Sequence, residues 1–200
     1  MSLPDRLTFL RIILTPVFFI VYFLPKLFPE ALAGSALWIV ILLWVIFIVA
    51  EITDMLDGMA ARRLNLTSDF GKLFDPFADT LMQITCFFCF VLDGIFPAAL
   101  LLLVLYREFG ILLVRNLMLK KGIAMGARMG GKIKTVTHII AVGLALLYIS
   151  LIRLDALTAL QNAVWIAAIA VFAISVFFSV LSFFDYITVY RSSVKNAGGA

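Results

Sequence analysis

Four aspartates that lie close together in this 200-residue chain have the residue type and spacing for metal chemistry. Asp54 and Asp57 are three residues apart and Asp75 and Asp79 are four apart, so each pair shares one face of a helix. A short connection would make the two helices antiparallel neighbours, with all four carboxylates directed into one cleft. The simpler alternative is that the four aspartates lie at solvated helix ends and pair with nearby basic residues. That alternative does not explain why the members of each pair are three or four residues apart, on one helix face.

Carboxylates without histidine or cysteine favour hard cations such as Mg²⁺ or Mn²⁺ over zinc. Four carboxylates exceed what one Mg²⁺ usually binds, because that ion keeps several waters and shares substrate phosphates. A site with two ions about 4 Å apart accounts better for the number of ligands. The sequence therefore predicts a pair of divalent cations, Mg²⁺ or Mn²⁺, in this cleft.

Small residues and an arginine are interspersed with the aspartates. Gly58 and Ala61 follow the first aspartate pair, and Gly71 lies one turn before Asp75. A helix face without bulky side chains lets a flat or bulky group approach the backbone. Arg62 adds a fixed cation that could pair with a phosphate or an aspartate.

The elements that position these residues are predicted to be membrane helices. Hydrophobic residues make up 64% of the chain and charged residues only 14%, whereas a soluble domain is nearer half apolar and a quarter charged. This composition excludes a soluble enzyme, a disordered chain and a disulfide scaffold. A helix needs about 20 apolar residues to cross a bilayer. Six such stretches are predicted, the last too long for one straight span: Leu7–Leu24, Ala33–Ile52, Phe74–Leu92, Phe96–Leu119, Val136–Ile152 and Ala159–Tyr190.

Basic residues predict the orientation, because cytoplasmic loops are enriched in lysine and arginine. Lys26 and Arg153 fall on one side of the membrane. Eleven fall on the other side: Arg6, Arg62, Arg63, Lys72, Lys120, Lys121, Arg128, Lys132, Lys134, Arg191 and Lys195. We therefore expect an all-α polytopic membrane protein, one domain over residues 1–200, with six transmembrane helices, cytoplasmic termini and a cytoplasm-facing active-site cleft. Membrane lipid is an expected partner, and nucleic acid is not.

The remaining candidates for chemistry are interpreted more simply. Cys86 and Cys89 lie in an apolar span with no second pair or histidine nearby, so they are expected to pack. His138, the only histidine, is expected to have an interfacial or packing role. Arg11 could either extend to the interface or face a bound donor.

Together, the residues of the cleft resemble the signature of the CDP-alcohol phosphotransferase family. All eight specified positions match: Asp54, Asp57, Gly58, Ala61, Arg62, Gly71, Asp75 and Asp79. The resemblance implies displacement of CMP from CDP-diacylglycerol by an alcohol. It implies that Asp54, Asp57 and Asp75 hold the metals, and that Asp79 completes this set and is the general base. The CDP moiety would lie against Asp57, Gly58, Ala61, Arg62 and Gly71.

Basic residues beyond the signature indicate the acceptor alcohol. Arg107 is about halfway along its predicted span and needs a partner there. The adjacent Glu108 is expected to point elsewhere on the helix, so that Arg107 faces the cleft or an anion. Lysine and threonine at the predicted start of the fifth span are suited to bind an anion. The residues predicted to bind an acceptor phosphate are Arg107, Arg115, Lys132, Lys134 and Thr135.

With this basic set, the chain is most similar to the bacterial family members that use sn-glycerol 3-phosphate as the acceptor. The similarity implies formation of phosphatidylglycerophosphate and CMP at the inner membrane by a homodimer. Two alternatives stay open. One is another acceptor, such as inositol phosphate, serine or choline. The other is a cation transporter, which would explain the aspartates but not the glycines, alanine and arginine at fixed spacing.

Overall fold

The computed structural model describes residues 3–64, 69–120 and 129–197, with side chains described at 5–56, 74, 76–118 and 133–192. Within these ranges the chain forms α-helices and no strand. The helices are α1 (Leu3–Leu27), α2 (Ala36–Leu64), α3 (Asp69–Leu92), α4 (Ala98–Lys120), α5 (Met129–Arg153) and α6 (Thr158–Ala197). The predicted all-α fold is confirmed, with a helix at each predicted span.

Four of the helices contain segments long and apolar enough to cross a membrane: Asp5–Leu27, Ala36–Leu56, Ile133–Arg153 and Thr158–Ser192. The apolar part of α3 is shorter, at Pro76–Leu92, and α4 has charged residues in its interior. The 40 residues of α6 extend about 60 Å, roughly twice the thickness of a bilayer's hydrocarbon core. The protein is therefore a multi-pass membrane protein in which α3 and α4 bring polar groups into the bundle.

With the exception of α4, the helices are longer than the apolar stretches that predicted them. The second predicted span ends at Ile52, but α2 continues to Leu64, and α3 begins at Asp69 rather than Phe74. Hydropathy marks only the part of a helix that is suited to lipid, whereas backbone hydrogen bonding continues into polar sequence. The signature aspartates therefore lie within continuous helices.

Aromatic rings form the centre of the bundle. The ring of Phe172, on α6, lies 4.6 Å from that of Phe87, on α3, and 4.3 Å from that of Phe96, between their centroids. Cys86 and Cys89 are buried in the same core as free thiols, in agreement with the predicted packing role. This packed aromatic layer fixes α3 against α6, and α3 is the helix that holds Asp79.

A polar network ties the helices together at the end of the bundle opposite the signature aspartates. Asp93 accepts a hydrogen bond of 2.9 Å from the Tyr22 hydroxyl and forms an ion pair with Lys26. Arg153 donates to the Tyr22 carbonyl oxygen at 2.7 Å and stacks over the Tyr22 ring. The network joins α1, α5 and the segment after α3.

A close approach between α4 and α6 depends on Gly110. A Cβ atom added at Gly110 would lie 2.7 Å from Cε2 and Cζ of Phe183. By contrast, a Cβ added at Gly143 of α5 meets no described atom within 4 Å. These two helical glycines form a matched pair, because only one of them lies under a neighbouring ring.

We expect Gly110→Ala to lower the thermal unfolding midpoint of the detergent-solubilised protein relative to Gly143→Ala. Both changes gain up to about 1 kcal/mol of helix propensity, but only the first forces an overpacked contact, which costs about 1–3 kcal/mol. The measurement is thermal unfolding of both variants in the same detergent. A midpoint for Gly110→Ala equal to or above that of Gly143→Ala would show that Phe183 moves aside at no cost.

Candidate active site

Asp54 is held by an arginine from another helix. Arg11, on α1, forms an ion pair with Asp54 Oδ1. The Arg11 residue is 1% exposed, whereas the Asp54 side chain is 42% exposed. A buried guanidinium needs a counter-charge, so Arg11 points into the bundle instead of extending to the interface.

Acidic and basic side chains from five helices converge around this pair. Asp79 interacts electrostatically with Asp54, Lys134 and Glu108, and also with Arg11. Glu51, on α2, interacts with Asp79, Asp54 and Arg11. We refer to these six residues as the charge cluster: Arg11, Glu51, Asp54, Asp79, Glu108 and Lys134. They place α1 to α5 around one polar centre.

Glu51 is a member of the charge cluster that the sequence analysis missed. It lies three residues before Asp54 and thus on the same helix face, which is the signal that could have identified it. It was overlooked because it falls within the predicted apolar span Ala33–Ile52. An acid at that depth requires partners, and the structure supplies Arg11.

Asp79 is also linked to α5 through a buried amide. Gln83 Nε2 donates a hydrogen bond of 3.0 Å to Asp79 Oδ1. Gln83 Oε1 lies 3.3 Å from His138 Nδ1. Of the two roles predicted for His138, interfacial or packing, the structure shows packing inside the bundle. The side chain also makes a polar contact with Gln83.

Glu108 connects two of the predicted phosphate-binding residues. Its Oε1 accepts hydrogen bonds from Lys134 Nζ at 2.7 Å and from Arg107 NH1 at 2.8 Å. Arg107 also donates at 3.4 Å to the Ser179 carbonyl and at 3.4 Å to Ser182 Oγ, both on α6. The expectation that Glu108 points away from Arg107 is wrong. The side chain of Arg107 bends back toward Glu108, because a buried guanidinium needs a counter-charge and this carboxylate is adjacent.

Arg115 lies about two turns beyond Arg107 on α4 and has a different environment. Its NH2 group is 3.4 Å from the Tyr186 hydroxyl, and its guanidinium lies over the Tyr186 ring. Arg115 and Glu108 both line a cavity of about 240 Å³ between α3 and α4, which also includes Thr80, next to Asp79. Thr135 is half-buried beside Lys134. The predicted basic set is thus divided between two places, one at Glu108 and one at Tyr186.

Several predicted site residues lie outside the described side chains: Asp57, Gly58, Ala61, Arg62, Gly71, Asp75 and Lys132. Among the side chains that the structure does describe, no three metal-binding residues gather closely enough to hold an ion. Two of the four predicted ligands are not in that described set. The predicted metal ligands and CDP contacts therefore stay predictions.

Comparison with known proteins agrees with the resemblance in the signature. The CDP-alcohol phosphatidyltransferase family model matches residues 1–181. A CDP-diacylglycerol–glycerol-3-phosphate 3-phosphatidyltransferase of Treponema pallidum is 35% identical, over 100% of this chain and 94% of its own length. The Bacillus subtilis protein of the same name is 33% identical, with 98% of both chains covered. A probable phosphatidylglycerophosphate synthase of Mycobacterium tuberculosis is 30% identical, over 99% of this chain and 84% of its own length. This chain therefore belongs to the CDP-alcohol phosphatidyltransferase family.

Proposed function

We propose that this enzyme transfers the phosphatidyl group of CDP-diacylglycerol to sn-glycerol 3-phosphate in phospholipid biosynthesis. The products are phosphatidylglycerophosphate and CMP. The observation that carries this proposal is the charge cluster, in which Asp79 and Lys134 interact electrostatically while Lys134 is held at Glu108. It pairs a carboxylate able to take the proton of an acceptor hydroxyl with a cation able to bind the acceptor's phosphate. The names of the relatives from Treponema pallidum and Bacillus subtilis support the same reaction.

In this mechanism the acceptor hydroxyl attacks the β-phosphorus of the donor. Asp79 takes the hydroxyl proton as the new oxygen–phosphorus bond forms. The bond between the β-phosphorus and the bridging oxygen breaks, and CMP leaves with that oxygen. Lys134, held at Glu108, would orient the acceptor through its phosphate, so that proximity lowers the barrier.

We further propose that Asp54, Asp57, Asp75 and Asp79 hold two Mg²⁺ or Mn²⁺ ions. The described part of the site suits hard cations, because Asp54 and Asp79 supply oxygen donors and His138 is separated from them by Gln83. Metal ions bound there would neutralise charge on the phosphoryl oxygens. The CDP moiety would lie against Gly58, Ala61, Arg62 and Gly71.

The charge distribution supports a location in the bacterial inner membrane. The charge cluster lies on the side that is rich in basic residues, which we propose is cytoplasmic together with both termini. The network around Asp93 would then lie at the outer face. A soluble acceptor could reach the charge cluster from the cytoplasm while the donor stays in the bilayer. We also propose that the enzyme is a homodimer, as the family resemblance implies.

The acceptor can be identified by measuring CMP release from CDP-diacylglycerol by the purified protein with Mg²⁺ or Mn²⁺. We expect sn-glycerol 3-phosphate to support turnover at least about 10-fold above glycerol, which lacks only the phosphate and so loses charge-assisted hydrogen bonds of about 1.5–3 kcal/mol. The panel should include serine, choline, inositol and inositol phosphate. Faster turnover with one of these alcohols would identify it as the acceptor in place of sn-glycerol 3-phosphate. No CMP release with any alcohol would exclude the enzymatic proposal.

Asp79→Asn should lower kcat by about 10²–10⁴-fold, because the amide cannot accept the hydroxyl proton. Donor binding in the presence of metal should be largely kept. A suitable control is Asp155→Asn, which removes an exposed carboxylate at a position of positive φ that asparagine also adopts. Near-normal turnover by Asp79→Asn would remove Asp79 from the role of base.

Lys134→Ala should raise the KM for sn-glycerol 3-phosphate by about 10- to 100-fold, since a hydrogen bond to a charged group contributes about 1.5–3 kcal/mol. Lys134→Arg should restore part of this affinity by keeping the charge. Lys26→Ala, which breaks the ion pair with Asp93 at the other end of the bundle, is the control. An unchanged KM for Lys134→Ala would place the acceptor phosphate elsewhere.

A further inference from the structure

Gln83 occupies a buried position between the catalytic region and α5. The residue is 6% exposed, and its amide spans the space between Asp79 on its own helix, α3, and His138 on α5. A glutamine amide has a donor end and an acceptor end. Both ends are used here, and the carboxylate of Asp79 restricts which end can face it.

The direction of this hydrogen-bond chain follows from Asp79. An ionised carboxylate only accepts hydrogen bonds, so the Gln83 NH₂ group must face Asp79 Oδ1. The Gln83 carbonyl oxygen then faces His138, and His138 Nδ1 must carry a hydrogen to donate to it. Each donor therefore has an acceptor, in the order His138, Gln83 and Asp79.

His138 is held rigidly enough to fix the amide. The residue is 0% exposed, and its ring meets the buried Phe87 ring edge to face at 5.1 Å. Its Nε2 atom is buried without a hydrogen-bond partner in the described part of the structure. Leaving a buried ring nitrogen unsatisfied has a free-energy cost, and a packing role alone would be filled at less cost by phenylalanine. The polar contact that the imidazole makes here is directed at Gln83.

We propose that Gln83 is a positioning residue for Asp79 and that His138 acts through Gln83. The hydrogen bond to Oδ1 sets the plane of the carboxylate and leaves Oδ2 to receive the proton of the acceptor hydroxyl. This inference rests on the proposed function, in which Asp79 is the base. It also assigns a role in the reaction to the only histidine of the chain.

Gln83→Leu removes the amide that donates to Asp79 and replaces it with an apolar side chain of similar size. Its kcat should fall by about 10- to 100-fold, the usual effect of losing a supporting hydrogen bond behind a catalytic group. The KM for the acceptor and the affinity for CDP-diacylglycerol should change little, because Gln83 is 6% exposed and is proposed to act only through Asp79. His138→Phe, which keeps the ring packed on Phe87, should lower kcat in the same way, and His138→Asn should restore part of it by returning an N–H donor.

A double-mutant cycle tests whether His138 acts through Gln83. If it does, adding His138→Phe to Gln83→Leu should cause no further loss of kcat, because the link is already broken. Losses that multiply would overturn this part of the proposal. Ser175→Ala is the matched control, since it removes a fully buried hydroxyl that donates to its own helix at the Phe172 carbonyl.

Thermal unfolding and Mn²⁺ binding of each variant show whether a loss of kcat comes from a misplaced Asp79 or from a protein that is not folded. A Gln83→Leu protein that is less stable but keeps wild-type kcat would overturn the inference, as would a kcat equal to that of Ser175→Ala. If Gln83→Leu does not fold, His138→Phe decides: an unchanged kcat overturns the proposal, and a loss restored by His138→Asn supports it. A wild-type protein inactive with every acceptor would overturn the proposed function and this inference together, whereas an active wild type confines failure to the inference.

Discussion

The requirement that every charge buried in a membrane bundle has a partner organises this structure. Moving an ion from water into a low-dielectric interior costs several kcal/mol even after relaxation, on the order of what a whole domain gains from folding. Arg11 and Asp54 meet this requirement across α1 and α2, and Glu108 meets it for Lys134 and Arg107. Because Arg11–Asp54 and Lys134–Glu108 each join two helices, the charges that could do chemistry also fix how the helices are arranged.

The remainder of the bundle holds this polar centre in place. The aromatic core around Phe172 is rigid and apolar, and the network around Asp93 ties the opposite end. Catalytic groups must be held within a fraction of an ångström of a productive geometry. Helices that are packed in the middle and tied at one end can present a polar site at the other end without relying on loops.

The sequence predicted the helices well, because apolar length is encoded along the chain, and it predicted that Asp54 and Asp79 lie close enough to interact. Apolar length locates a membrane helix, and residues three or four apart share a face. The partners across helices were not predictable in this way. The interactions of Glu51, the Lys134–Glu108 hydrogen bond and the contact of His138 with Gln83 depend on how each helix is rotated about its axis. A helix that is apolar on all sides, as α2 largely is, carries little sequence signal for that rotation.

Lys134 and Asp79 interact electrostatically, yet each hydrogen-bonds to a different side chain, in keeping with the same pairing rule. A lysine and a carboxylate in one low-dielectric site attract each other strongly, and a direct pair would occupy the two groups that we propose as the base and the phosphate-binding cation. Lys134 instead bonds to Glu108, and Asp79 bonds to Gln83. Each group therefore has a local partner of its own. In the proposed mechanism, Asp79 would act through its second oxygen and Lys134 through its remaining hydrogens.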